Sequence, residues 1–165
     1  MKKLSFVTVI IVFLLIISNG IQGQTTQTQI DQVKLMQQYG GIWQTVLNKG
    51  TTEIVESQQY GNISFDNVYL LVNGKRSLQN VNVYCYSPND GKYKGFTAMA
   101  NGTNMTFFGS FVTDKKFAID IVQNFNPETV FMKMEVNYET LKSMTITSFN
   151  PNDVKTGEHK FTKVK

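Results

Sequence analysis

Residue types that do chemistry are sparse in this 165-residue chain, and their spacing assembles no common catalytic group. His159 is the only histidine, which disfavours a Ser-His-Asp relay and a histidine-rich metal centre. Glu53 and Glu56 lie three apart in a strand-like segment and face opposite ways, so they do not form the carboxylate pair of a glycoside hydrolase. No nucleophile elbow or phosphate-binding loop occurs. We therefore expect no catalytic residue, no metal site and no cofactor, in a protein that is not an enzyme.

The lone cysteine and the lone histidine both have structural explanations. Cys85 cannot form an internal disulfide, and its alternation with Val81 and Val83 predicts a buried thiol that acts as a small hydrophobe. His159 is the only histidine and therefore the one candidate imidazole ligand for a haem; it shares a strand face with Phe161, which would direct it inward. Its place near the chain end favours a histidine at the solvent edge.

The N-terminus has the pattern of a secretory signal peptide. Two lysines precede an apolar run over Phe6–Ile17, and small residues follow. We expect cleavage after Gly23, with Gly20 as the alternative site, and export to the periplasm or the extracellular space. The run is shorter than the roughly 20 residues of a membrane span. An uncleaved anchor is the alternative, but we expect no stable membrane insertion after cleavage.

The charge of the mature chain gives no sign of a nucleic-acid partner. The formal net charge is +4 for the whole sequence and falls to +2 without the two leader lysines. The remaining basic residues are spread along the chain, whereas nucleic-acid binders concentrate them on a face or stripe. We expect a monomer that does not bind nucleic acid.

One short helix is predicted before any strand. Thr28 and Asp31 resemble a capping box, and the apolar positions that follow repeat with a helical period. Gly40 and Gly41 end the helix. The residues that share its apolar face are Ile30, Val33, Met36 and Tyr39.

After Gly41 the apolar period changes to two, and turn residues separate the segments, as at Asn73-Gly74. This pattern predicts an all-β fold, an antiparallel up-and-down barrel of 8–10 strands, with a sandwich as the alternative. The ten predicted strands span residues 42–47, 52–60, 64–72, 78–86, 93–99, 105–112, 116–123, 129–136, 143–149 and 158–164.

Bulky apolar residues are available to fill or line the barrel interior. The chain has seven Met and twelve Phe, and both a solid core and an apolar cavity fit this composition. By alternation the candidates for an interior ligand site are Tyr84, Tyr86, Phe107, Phe111, Met132 and Met134.

The segment Gly41-Ile42-Trp43, directly after the helix, resembles the Gly-x-Trp signature of the lipocalins and the wider calycin group. The resemblance covers about residues 28–165 and implies that Trp43 plugs the closed end of the barrel beneath the helix. Lipocalins pack an arginine of the last strand over this Trp, and here Lys160 or Lys163 would replace it. The chain also has no long helix after the barrel, so it is most similar to small lipocalin-like domains that bacteria export.

The resemblance implies a single lipocalin-like domain over residues 24–165 that binds a small hydrophobic ligand in the barrel interior. The alternative is a filled barrel that acts as a structural or protein-interaction domain at the cell envelope. A third possibility is a haem-binding barrel similar to nitrobindins. Their opening motif has glycines after the Trp, whereas Gln44, Thr45 and Val46 follow Trp43 here.

Overall fold

The computed structural model describes residues 30–165. The predicted signal peptide, residues 1–23, and the predicted cap at Thr28 lie outside this range. The described chain forms a short helix followed by ten strands. These are α1 (Gln32–Gln38), β1 (Gly41–Asn48), β2 (Thr51–Tyr60), β3 (Ile63–Val72), β4 (Lys75–Ser87), β5 (Lys92–Met99), β6 (Asn104–Phe111), β7 (Lys116–Val122), β8 (Met132–Thr140), β9 (Ser143–Phe149) and β10 (Lys155–Lys163).

The ten strands form one closed antiparallel barrel in which each strand pairs with its neighbours in sequence, and β1 pairs with β10. The predicted all-β up-and-down barrel is therefore confirmed, and the sandwich alternative is wrong. Closure between β1 and β10 is the shortest ladder of the barrel, with the pairs Trp43–Lys163 and Gln44–Thr162. The two strands pair only near the end of the barrel that carries Trp43, and β1 has no register pair with β10 beyond Gln44.

The helix begins at Gln32, later than the sequence pattern predicts. Asp31 is its N-cap, and its carboxylate accepts a hydrogen bond from the Lys34 backbone N–H at 3.0 Å. This contact satisfies one of the backbone donors left free at a helix start. Met36 and Tyr39, both expected on the apolar face, are buried.

The eighth strand differs most from its predicted span, which began at Thr129. In the structure Thr129 belongs to a turn: its backbone N–H donates to the Asn126 carbonyl, and its hydroxyl donates to the carbonyls of Gln123 and Asn126. A β-branched threonine favours strands, but its hydroxyl also stabilises turns. The strand therefore starts at Met132 and extends to Thr140.

The β7–β8 connection, residues 123–131, folds against the outside of the barrel. The Phe125 backbone N–H donates to the Thr106 hydroxyl at 3.0 Å, and the Phe125 ring packs edge-on against Phe108. Thr106 and Phe108 alternate with the inward-facing Phe107, so they lie on the outer face. This connection packs on the outer face of β6. We call the barrel end opposite α1 the mouth.

Candidate functional site

Trp43 lies at the closed end of the barrel, beneath α1. Its side chain is 1% exposed, and the indole N–H donates to the Tyr39 carbonyl at 3.0 Å. The Lys163 ammonium lies 5.4 Å from the centre of the indole ring, within reach of a cation–π contact. Both the predicted plug and the predicted lysine over the Trp are thus present, and Lys163 rather than Lys160 is that lysine.

Gly41 makes the corner between α1 and β1 possible. Its φ is +133°, and a Cβ there would lie 2.5 Å from both the Lys163 side chain and the Lys165 carbonyl oxygen. Only glycine adopts this backbone conformation readily and leaves room for the end of the chain. The Ile42 backbone N–H then donates to the Lys165 carbonyl, and the Val164 backbone N–H donates to the Ile42 carbonyl.

Stacked aromatic rings lie beside Trp43 and form the floor of the barrel together with it. Tyr39 stacks on Tyr138 with ring centres 3.5 Å apart, and the Phe111 ring lies about 6 Å from both. Phe117 packs against Phe111 with ring centres 4.9 Å apart. The Gln32 amide fixes the helix over this floor because it both donates to the Phe111 carbonyl and accepts from the Phe111 N–H. The floor is therefore held by packing and by hydrogen bonds together.

A cavity of about 310 Å³ lies between this floor and the mouth. Its volume is at the lower end of the range for small-molecule sites. The lining is divided between two contiguous walls. The apolar wall, from β6–β9, includes Met105, Phe107, Ile121, Met132, Met134 and Ile146. The polar wall, from β2–β5, includes Glu53, Ser57, Asp66, Asn80, Asn82 and Thr97.

Hydrogen bonds link part of the polar wall, both along a strand and between neighbouring strands. The Asn82 amide oxygen accepts from the Thr97 hydroxyl at 2.8 Å and from the Asn80 amide at 3.0 Å. The Tyr84 hydroxyl donates to Oδ2 of Asp66 at 2.8 Å. Within residues 30–165, Oδ1 of Asp66 is buried without a hydrogen-bond partner. A buried carboxylate oxygen in this state is unfavourable, so Asp66 is the least satisfied group of the cavity.

Burial shifts the ionisation of the groups that line the cavity. Desolvation raises the pKa of Asp66, and the nearby polar groups of Ser57, Tyr84 and Asn82 offset part of the rise. Desolvation, then the Asp66 charge, raises the pKa of Tyr84 well above its usual value. Desolvation, then the Asp66 charge, also raises the pKa of Tyr138, which lies above the physiological range. Desolvation also raises the pKa of Glu53, against a lowering effect of His159.

The sequence-predicted interior residues divide into two groups. Tyr84, Phe107, Met132 and Met134 line the cavity. Phe111 is buried in the floor beneath α1, and Tyr86 is half-buried with its ring 5.3 Å from that of Tyr93. These last two lie in the barrel outside the cavity lining, because their strand ends are at the closed end.

The prediction for Cys85 is wrong, since its side chain is exposed. Tyr84 and Tyr86 face the interior, so the residue between them faces out. His159 is exposed in the middle of β10, and its charge lowers the pKa of the cavity residue Glu53. In the part of the chain that the structure describes, no group of three or more His, Cys, Asp or Glu side chains is arranged to hold a metal ion.

Sequence reasoning did not identify Asp66, although a usable signal was present. Asp66 alternates with Ser64 and Val68, and the register places Ser64 opposite Tyr84 and Asp66 opposite Asn82. Once Tyr84 is assigned to the interior, this pairing assigns Asp66 to the interior as well.

Comparison of the chain with protein-family models finds no match, and comparison with curated proteins finds none either. No helix within residues 30–165 has the length and apolar character needed to cross a membrane.

Proposed function

We propose that this protein is an exported lipocalin-like barrel that binds a small, largely apolar molecule in its interior. The cavity of about 310 Å³ carries the proposal. Side chains around an empty apolar space lose dispersion contacts, and a bound molecule restores them. The plug closes one end of the barrel, so a ligand would enter this site from the mouth at the other end.

The lipocalin-like assignment rests on the closed end. Gly41, Trp43 and Lys163 make the contacts that the resemblance implies. Export rests on the leader sequence alone, and the absence of catalytic pairing in the sequence favours a binding protein over an enzyme. The filled-barrel alternative is less compatible with the cavity, and the haem alternative is less compatible with the exposed His159.

Titration with 1-octanol, a neutral apolar probe, tests ligand binding directly. Trp43 borders the cavity, so its emission should change as the probe binds. Val68→Phe places a larger side chain in the cavity and should weaken binding by about tenfold or more, whereas Val81→Phe, on the outer face of β4, should not. A calorimetric titration that shows no saturable binding of 1-octanol, or equal binding by both variants, would contradict the proposal.

A further inference from the structure

The cavity is bordered by two carboxyl groups that have no ion-pair partner within residues 30–165, although the charge of His159 acts on one of them, Glu53. Asp66 and Glu53 both border the cavity, and none of the six ion pairs among residues 30–165 includes either of them. The inward-facing Lys163 lies over the Trp43 ring at the closed end. The interior of the barrel is therefore acidic on one wall and apolar on the other.

Asp66 is the centre of this imbalance. Tyr84 supplies one hydrogen bond, to Oδ2, while Oδ1 has no partner among the described residues. Burial of a carboxylate without a cation is strongly unfavourable, and natural proteins pair such groups or neutralise them. A ligand that brings a positive charge with N–H donors would satisfy this group better than any neutral ligand.

We propose, building on the ligand-binding function above, that the cavity selects amphiphilic amines, with the ammonium group at Asp66 and the apolar body against the apolar wall. Ammonium donates up to three hydrogen bonds and matches the acceptor character of Asp66 and of the amide oxygens beside it. The apolar body then lies against methionines, which adapt to different shapes.

Glu53 extends the acidic surface toward the mouth. It lies on β2 two inward-facing positions nearer the mouth than Ser57, the residue that pairs with Asp66. A second carboxylate along the path of entry attracts cations and repels carboxylates. Fatty acids, whose apolar bodies would fit the same wall, are therefore disfavoured ligands.

Three probes of equal chain length separate this inference from the proposed function: octylamine, 1-octanol and octanoate, titrated by calorimetry at neutral pH. We expect octylamine to bind about tenfold or more tightly than 1-octanol, and octanoate to bind most weakly. Asp66→Asn should abolish the preference for the amine while 1-octanol binding changes by no more than about threefold. The matched control, Asp120→Asn, removes an exposed carboxylate from the outer face of β7 and should change nothing.

Equal affinity of the wild-type protein for octylamine and 1-octanol would overturn the inference and leave the proposed function intact. Amine preference that persists in Asp66→Asn would also overturn it. Failure of all three probes to bind would overturn both proposals. The wild-type comparison needs no variant, so the inference stays falsifiable if Asp66→Asn does not fold.

Discussion

Replacing Trp43 with alanine should lower the free energy of unfolding by about 3–5 kcal/mol. The side chain is 1% exposed. Burial of about 200 Å² of aromatic surface at about 25 cal/mol per Å² gives about 5 kcal/mol as an upper estimate. Alanine retains part of this surface, so the expected loss lies at or below that figure.

Two further variants divide this loss into its parts. Trp43→Phe keeps a ring but leaves the Tyr39 carbonyl without its donor, and it should lower the free energy of unfolding by about 1–3 kcal/mol. Lys163→Met removes the cation over the indole and should lower it by about 1 kcal/mol or less. The matched control, Phe131→Ala, truncates a 42% exposed aromatic and should stay within about 0.5 kcal/mol of wild type.

Urea unfolding followed by far-ultraviolet circular dichroism gives these free energies, since the variants at position 43 lack the only Trp. In the wild-type protein the native Trp emission should be blue-shifted and protected from iodide. A loss below about 1 kcal/mol for Trp43→Ala, together with strong iodide quenching of the native protein, would refute the plug and the support it gives to a lipocalin-like barrel.

Three other predictions concern the interior and the outer face. A Cβ at Gly95 would overlap the Phe107 ring, whereas one at Gly157 would meet open space. Gly95→Ala should therefore lower the free energy of unfolding by about 1–3 kcal/mol, and Gly157→Ala by less than about 0.5 kcal/mol. Equal losses for the two variants in urea titrations would contradict this packing. Burial raises the pKa of Asp66 in the folded protein, so folding favours the neutral acid over the carboxylate. This contribution to the free energy of unfolding is fully present below the unfolded pKa of about 4, and it is lost as the pH rises through the folded pKa. Asp66→Asn should thus become more stable relative to wild type as the pH is raised from about 4 toward 8 in urea titrations. A difference that does not change with pH would show that the pKa is not shifted, and one that falls with pH would show the opposite shift. The Cys85 thiol is exposed and should react with Ellman's reagent in the native protein, whereas reaction only in urea would place it in the core.

Much of the barrel could be predicted because its strands are local in sequence. Short turns such as Asn73-Gly74 mark the hairpins, and pairing between consecutive strands follows from them. Thr129 shows the limit of this reasoning, since the same hydroxyl side chain suits a strand and a turn. The choice depends on the carbonyls that the folded turn brings close.

The polar wall could not be predicted from alternation alone because it reverses the usual pattern. On β3, Asp66 faces the cavity while Phe65 on the outer face is 36% exposed, and on β5 Thr97 faces inward while Phe96 is 40% exposed. The general rule assigns apolar residues to the inside of a half-buried sheet. That rule would assign Phe65 and Phe96 to the interior and Asp66 and Thr97 to the outer face. Only the register of these two strands with β4, where Tyr84 faces inward, gives the correct assignment.

The cavity itself depends on side-chain packing, which composition does not fix. Seven Met and twelve Phe are compatible with a filled core, and the structure leaves about 310 Å³ unfilled because several of these residues are used elsewhere. Phe111 and Phe117 form the floor, while Phe108 and Phe125 pack on the outer face.

Native mass spectrometry of the mature protein, isolated without denaturant from the cells that make it, tests the central claim most directly. We expect a population heavier than the polypeptide by the mass of one small molecule, which is released on denaturation and is identified as an amine with an apolar body. The Val68→Phe protein, isolated in the same way, should carry less of it, and Val81→Phe should carry as much as wild type. The bare polypeptide mass in all three proteins, with no binding of octylamine or 1-octanol added afterwards, would contradict a ligand-binding barrel.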